Sequence, residues 1–277
     1  MDIRPIAGIM GAEVLGVDLR STREWSAIQK AFLEHAVLVF RDQTLEPQDI
    51  MDVGAKFGAP CHYPFVTGME GFPFLFEVVK EEGETVNFGG NWHSDTTYLA
   101  QPPLGTLLYA VETPTHGGDT LFCSTRAAYD ALSSGLRSVV DKLVGVFSAG
   151  LKHSGGRAQI HAQSKVGGMR IHGTDKAEEY EAEHPVARTH PDTGKKALYC
   201  SRSHTVRFRD MSEEESRPLI DYLQAHQTRP EFTCRVRWAP GTLTLWDNRC
   251  TQHNAINDYH GQRRRMRRLT VGPQTPR

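Results

Sequence analysis

Two separated stretches of this 277-residue chain carry side chains suited to a metal ion. The segment Asn91-Trp92-His93-Ser94-Asp95-Thr96-Thr97 contains an H-x-D pair. In extended backbone, residues i and i+2 project to the same side, so the His93 imidazole and the Asp95 carboxylate converge. They can fill two adjacent positions of an octahedral metal. A third histidine from far along the chain completes one triangular face and leaves the opposite face open. The block Leu245-Trp246-Asp247-Asn248-Arg249-Cys250-Thr251-Gln252-His253 reads as a strand running into a turn, a rigid mount for that ligand. Trp246-Asp247-Asn248 is then a strand end with an Asx-type turn that aims His253. Two histidines, one carboxylate and open positions are the ligand set of non-haem Fe(II) oxygenases, where a chelating co-substrate and O₂ bind together. The same ligand types also hold catalytic zinc, so a zinc-dependent hydrolase is the alternative.

The second chemical signal is Gln262-Arg263-Arg264-Arg265-Met266-Arg267-Arg268-Leu269-Thr270. As a solvated basic run it would suit nucleic acid. As a strand it splits into two sets: Arg264, Met266, Arg268 and Thr270 on one face, and Arg263, Arg265, Arg267 and Leu269 on the other. A methionine between two arginines suits a partly apolar pocket with two anion anchors. 2-Oxoglutarate chelating iron through its 2-oxo group and C1 carboxylate would leave its C5 carboxylate to such an arginine, whose planar fork bonds both oxygens. A second arginine four residues on could take an anionic group of the primary substrate.

These groups need elements to position them. The spacing of Trp25, Ile28, Phe32 and Ala36 predicts a helix over 24–36, with Ser21 or Thr22 available as its cap. A buried strand follows at 37–40, then a second helix at 45–57 with Thr44 before it and Pro47 near its start. Helical pattern at 124–144 is interrupted near Ser133–Gly135, and Ser212 to Glu215 form a capping box ahead of a helix that contains Pro218. Strands are expected at 74–79, 105–111, 232–238 and 241–246; in the third, Phe232, Cys234, Val236 and Trp238 alternate with polar residues. The stretch 148–184, rich in Gly, His, Lys and Glu, reads as a long excursion at an active site. Strand signals at both ends with helices between them imply one mixed domain spanning 1–277.

Composition narrows the function classes. A net charge of −1 gives the whole molecule no field for nucleic acid or an anionic membrane. Five scattered cysteines without a C-x-x-C pair indicate neither a disulfide framework nor a zinc ribbon. The first twenty residues lack the apolar core of a signal peptide, and no apolar run is long enough to span a bilayer. A reducing, cytoplasmic setting is expected.

The chain closely resembles the taurine dioxygenase/2,4-dichlorophenoxyacetate dioxygenase family of Fe(II)/2-oxoglutarate enzymes, from G-A-E-V-x-G-V-D-L (Gly11–Leu19) to Arg268. The resemblance is strongest in W-H-S-D (Trp92–Asp95), H-G-G-D-T (His116–Thr120), W-D-N-R-x-T-Q-H (Trp246–His253) and N-D-Y-x-x-Q-R-R-x-M-x-R (Asn257–Arg268). It implies a β-rich double-stranded β-helix (jelly roll, cupin-like) braced by helices, with Fe(II), 2-oxoglutarate and O₂ as cofactor and co-substrates. It implies His93, Asp95 and His253 as iron ligands and Thr120 and Arg264 as 2-oxoglutarate residues. Arg268 resembles the arginine that reaches the substrate's anionic group or the co-substrate's C1 carboxylate. His62 occupies the place of a substrate-contacting histidine, and Asn91 precedes the iron motif as in the family. Phe65 and Gly89 stand where taurine dioxygenases carry a tyrosine and an asparagine, which removes hydrogen-bonding groups and favours a larger or more apolar carboxylate or sulfonate. The resemblance also implies a homo-oligomer, a dimer or tetramer.

Overall fold

Strand parity organises this molecule, seen in a computed structural model that describes residues 1–150, 169 and 171–277. Within the apolar run Val37–Phe40, Val37 and Val39 face one hydrophobic cluster while Leu38 and Phe40 face another. Successive side chains on a strand point to opposite faces, so an unbroken hydrophobic run marks a strand covered on both sides.

In chain order the strands are β1 (Asp2–Pro5), β2 (Ala12–Leu15), β3 (Val37–Phe40), β4 (Pro60–Cys61), β5 (Leu75–Lys80), β6 (Pro103–Glu112), β7 (Thr120–Ser124) and β8 (Val144–Ser148). They continue as β9 (Glu181–Pro185), β10 (Ala187–Thr189), β11 (Lys196–Leu198), β12 (Thr205–Phe208), β13 (Thr233–Val236), β14 (Leu243–Asp247), β15 (Thr251–Ala255) and β16 (Arg264–Pro273). The principal sheet runs β1-β2-β3-β14-β6-β16, and beyond β16 lie β5 and β4, paired with different stretches of it. Two smaller antiparallel sheets, β13-β7-β15 and β12-β8-β9, oppose it. One inner cluster joins them: Val39, Leu108, Ala110 and Met266 from the principal sheet meet Phe122, Phe147, Cys234 and Val236 from the smaller ones. Two facing layers of mainly antiparallel strands give the expected jelly roll.

The outer face of the principal sheet packs Leu38, Leu107, Leu245 and Leu269 against Ile28 and Phe32 of α1 (Trp25–His35) and Ile50 and Val53 of α2 (Pro47–Ala55). On the opposite side, α3 (Thr125–Asp130), α4 (Ser134–Val140) and α5 (Glu213–Gln227) cover Val186, Leu198 and Phe208. The break expected near Ser133 is real, because the Ser124 and Ser133 side chains each accept a backbone N–H and start separate helices. The Ser212–Glu215 capping box starts α5, and Pro218 lies inside that helix.

One expected cap is corrected. Neither Ser21 nor Thr22 caps α1; its N-cap is Glu24, whose backbone N–H donates to the Thr22 hydroxyl. Glu46 caps α2 through a reciprocal bond with Asp49, and Pro47 occupies the first helical position. Phe232 also departs from the expected strand: it sits in a short 3-10 turn facing the helical cluster, whereas Cys234, Val236 and Trp238 face inward. The 148–184 excursion narrows, since Thr174–Glu179 is a 3-10 helix and Glu181 onward is β9, paired with β8. Its residues 151–168 and 170 lie outside the described residues. All five cysteines are buried and unbridged. Among the described residues, no helix is long and apolar enough to cross a membrane.

Candidate active site

The H-x-D segment and β15 meet through an isolated antiparallel bridge. His93 N donates to His253 O over 3.1 Å, and His253 N donates to His93 O over 2.9 Å. Directly opposed residues on paired strands share a face, so the two imidazoles lie side by side with ring centroids 4.2 Å apart. Asp95 Oδ1 stands 3.6 Å from His93 Nε2 and 3.7 Å from His253 Nε2. One ligand atom from each of the three residues lies within 4.8 Å of the others. Three residues separated by up to 160 positions thus present two nitrogens and an oxygen to one point. His93 Nδ1 is 2.6 Å from the Asn91 carbonyl, which selects the tautomer that leaves Nε2 free to donate to a metal.

Asp95 is held from behind. The Thr106 hydroxyl, on β6, donates to Asp95 Oδ2 over 2.6 Å. Asn248 Nδ2 donates to that hydroxyl over 2.8 Å, while Asn248 Oδ1 accepts from Asp95 N and from Trp246 Nε1. The W-D-N turn therefore does more than aim His253: its asparagine locks the carboxylate ligand through Thr106. Asn248→Ala should lower metal affinity about 10–100-fold, the usual effect of losing an outer hydrogen bond to a ligand. Metal titration of the variant checks this; an unchanged affinity would exclude the relay.

Burial alone would raise the Asp95 carboxyl, but Arg268 first, then His253 and His93, hold it well below the usual carboxylate range. Burial, reinforced by the charge of His93, pushes the His253 imidazole well below its ordinary value. A carboxylate and a neutral imidazole are the forms that ligate metals.

Arginine parity on β16 follows the expected division. Arg264, Met266 and Arg268 are 5 %, 0 % and 4 % exposed on the inner face. The opposite set is engaged by acids: Arg263 with Glu81 and Glu112, Arg265 with Glu77, and Arg267 with Glu46. Each arginine of the outer set therefore has an acidic partner. Arg268 pairs with Asp95, and the rings of Tyr63, Phe76, Phe88 and Trp246 lie within 6.0 Å of its guanidinium carbon. Arg264 packs over the Trp238 ring at 5.6 Å, and Trp238 Nε1 donates to the Thr120 hydroxyl over 3.0 Å. One tryptophan thus brings Arg264 and Thr120 into a common neighbourhood. Arg264 Nε and one terminal nitrogen are buried without a hydrogen-bond partner. Native proteins seldom leave such donors unmet, and this pair suits a carboxylate.

The remaining sequence candidates divide. Phe65 is buried among Tyr63, Tyr98 and Tyr180. His62 is exposed, and its neighbour Tyr63 is the residue that turns toward Arg268. Asn91 is exposed and acts through its carbonyl. Gly89 has φ +79°, and a Cβ there would come within 3.4 Å of His93 Cε1, so an asparagine could be placed only with backbone strain. Asp119 accepts from Arg235 and follows two glycines of positive φ, the turn role read from sequence. A second group, His190, Asp247 and Cys250, also offers metal-ligand atoms. There, however, Arg249 bonds both Asp247 oxygens and His190 bonds one of them, so the carboxylate is already occupied in a buried network.

Known proteins of similar sequence and fold bear on the site. Residues 2–270 match the family described as taurine catabolism dioxygenase TauD, TfdA family. An alpha-ketoglutarate-dependent sulfate ester dioxygenase from Pseudomonas putida is 37 % identical, over 100 % of this chain and 91 % of its own length. A solved taurine dioxygenase from Burkholderia xenovorans superposes with a TM-score of 0.81 at 30 % identity, covering 99 % of this chain and 90 % of that one. The structure of AAD-2 in complex with Mn(II) and N-oxalylglycine gives a TM-score of 0.80 at 30 % identity, covering 99 % and 98 %. The chain belongs to the taurine catabolism dioxygenase TauD, TfdA family.

Proposed function

We propose that this protein is an Fe(II)- and 2-oxoglutarate-dependent dioxygenase that hydroxylates a small organic anion, with 1–277 forming one catalytic domain. The observation that carries the reading is the convergence of His93, Asp95 and His253 at one point, with the buried Arg264, two of whose nitrogens lack a hydrogen-bond partner, on the same inner wall. The donor set fits Fe(II): two nitrogens and one oxygen. The orphaned guanidinium fits the far carboxylate of 2-oxoglutarate. A zinc hydrolase would need the same three ligands but gives Arg264 no task, and the family match offers that alternative no support.

His93, Asp95 and His253 would hold the iron, with Arg264 and Thr120 at the C5 carboxylate of 2-oxoglutarate and Arg268 at the substrate's anionic group. Iron with 2-oxoglutarate and O₂ supplies the oxidant that converts a substrate C–H to C–OH, with release of succinate and CO₂. The chain's own part is placement. Asn91 and the Asn248–Thr106 relay fix the ligands, and burial of the site excludes water that would compete for Arg264 and Arg268. Tyr63, Phe76 and Phe88 surround Arg268 with apolar surface, so the substrate is an anion with an apolar body. Phe65 and Gly89 provide no side-chain hydrogen bond for an amine such as that of taurine. The P. putida relative is named for sulfate esters, and a sulfate or sulfonate head on an alkyl or aryl body suits Arg268. Hydroxylation of the carbon that bears the oxygen, sulfur or nitrogen of the leaving group gives a product that collapses to a carbonyl compound.

The test is succinate formation with Fe(II), 2-oxoglutarate and a panel of alkyl sulfates, sulfonates, aryloxyalkanoates and amino acids. Substrate-dependent succinate is expected, with taurine a poor member. Turnover supported by zinc without 2-oxoglutarate would overturn the reading. Within the panel, Arg268→Ala should raise the substrate KM by roughly 30-fold or more, as expected for truncating a buried charge partner. The KM for 2-oxoglutarate should move far less; the reverse pattern would assign Arg268 to the co-substrate. Five unbridged thiols suit a reducing cytoplasm, and a homo-oligomer follows the family resemblance.

A further inference from the structure

Lys80 has no part in that scheme, yet parity places it on the inner face. Phe76 and Val78 precede it there within the inner cluster, opposite Arg268 and Met266, and Lys80 itself pairs with Arg264 in the β5–β16 register. Directly opposed residues of an antiparallel pair share a face, with Cβ atoms about 4.5–5.5 Å apart. Lys80 is only 3 % exposed, and its Nζ is buried without a hydrogen-bond partner. The ammonium lies over the Tyr259 ring, 4.2 Å from its centroid. Arg264, its partner across the strands, is buried as well and within electrostatic range of Tyr259.

Two buried cations opposed across the β5–β16 register, each with unmet donors, are both poorly solvated. Glu84 attracts Lys80 and offsets part of its desolvation, but leaves Nζ without a hydrogen bond. Arg264 receives no hydrogen bond acceptor for its Nε either. A single carboxylate bound between them would serve both. Resting on the 2-oxoglutarate reading above, we propose that Lys80 is a second cationic contact for the distal carboxylate of the co-substrate, selecting a 2-oxo dicarboxylate over a 2-oxo monocarboxylate.

The experiment is anaerobic calorimetric titration of the Fe(II)-loaded protein and its Lys80→Met variant with two ligands. These are 2-oxoglutarate and 2-oxopentanoate, which has the same chain with a methyl group in place of the distal carboxylate. Lys80→Met should weaken 2-oxoglutarate about 10-fold and leave 2-oxopentanoate within about twofold, on the scale of one charged contact. Methionine keeps the length and removes the charge, so the ligand-free Tm should hold or rise. Equal weakening of both ligands, or no change in either, would overturn the proposal. A fall in Tm with unchanged affinities would do the same, making Lys80 only the counter-charge of Glu84. If wild-type protein binds neither ligand, the 2-oxoglutarate reading itself fails, an outcome recognisable before any variant is compared.

Discussion

Asp95→Ala is expected to abolish 2-oxoglutarate-dependent turnover, with metal affinity lowered beyond the roughly 100-fold that outer hydrogen bonds account for. Asp95 Oδ1 is the atom that both imidazoles approach, and Oδ2 is the acceptor of the Thr106 hydroxyl. Its removal takes away the negative ligand and also leaves Arg268 beside two imidazoles without its acid. Breaking one side of a buried ion pair costs about 3–5 kcal/mol, so the alanine variant will also be less stable. Asp95→Asn separates the two effects. Its amide keeps the shape and can still accept from Thr106, but it loses the charge. Metal content after anaerobic reconstitution should fall in both variants, and succinate formation with it. An Asn variant that binds metal and turns over as wild type would remove Asp95 from the ligand set.

Arg264→Ala should act on a different quantity. Its guanidinium is buried against Trp238 with donors unmet, so its task is recognition of an anion rather than support of the fold. Truncating a buried charge partner costs about 2–5 kcal/mol, which corresponds to a rise of roughly 30-fold to more than 1,000-fold in the KM for 2-oxoglutarate. The metal site is untouched, so metal content should stay at the wild-type level. Ligand-free stability should not fall, because an uncompensated buried cation is removed. Steady-state kinetics across a range of 2-oxoglutarate concentrations checks the claim. A lowered kcat at an unchanged KM would contradict it.

Much of this site was legible because its determinants are local. H-x-D on extended backbone fixes a common side for His93 and Asp95, and period-two alternation sorts Arg264, Met266 and Arg268 from Arg263, Arg265 and Arg267. The unbroken apolar run Val37–Phe40 was readable as a buried strand, and the structure covers it on both faces. What stayed hidden depends on contacts between distant segments. Thr106 is an unremarkable threonine within a hydrophobic strand, and only the β14–β6 pairing places it between Asn248 and Asp95. Trp238 reads as an inward apolar residue, yet its indole N–H is what ties Thr120 to the Arg264 pocket. Tyr63 was overshadowed by His62, since both lie in irregular backbone just after β4, where no period tells which side chain turns inward. Lys80 ends a hydrophobic strand and looks like its solvated terminus until the register sets it across from Arg264. The cap of α2 has a similar origin: Glu46 and Asp49 bond each other reciprocally, which a search for Ser or Thr at the N-cap overlooks.

The central claim is that His93, Asp95 and His253 hold one catalytic metal. Its most direct test is an anomalous-diffraction map of crystals grown anaerobically with Fe(II), recorded on both sides of the iron absorption edge. The account predicts one iron peak within coordination distance of His93 Nε2, Asp95 and His253 Nε2. Iron bound instead at His190, Asp247 and Cys250, or absent from both clusters in protein that turns over 2-oxoglutarate, would contradict it.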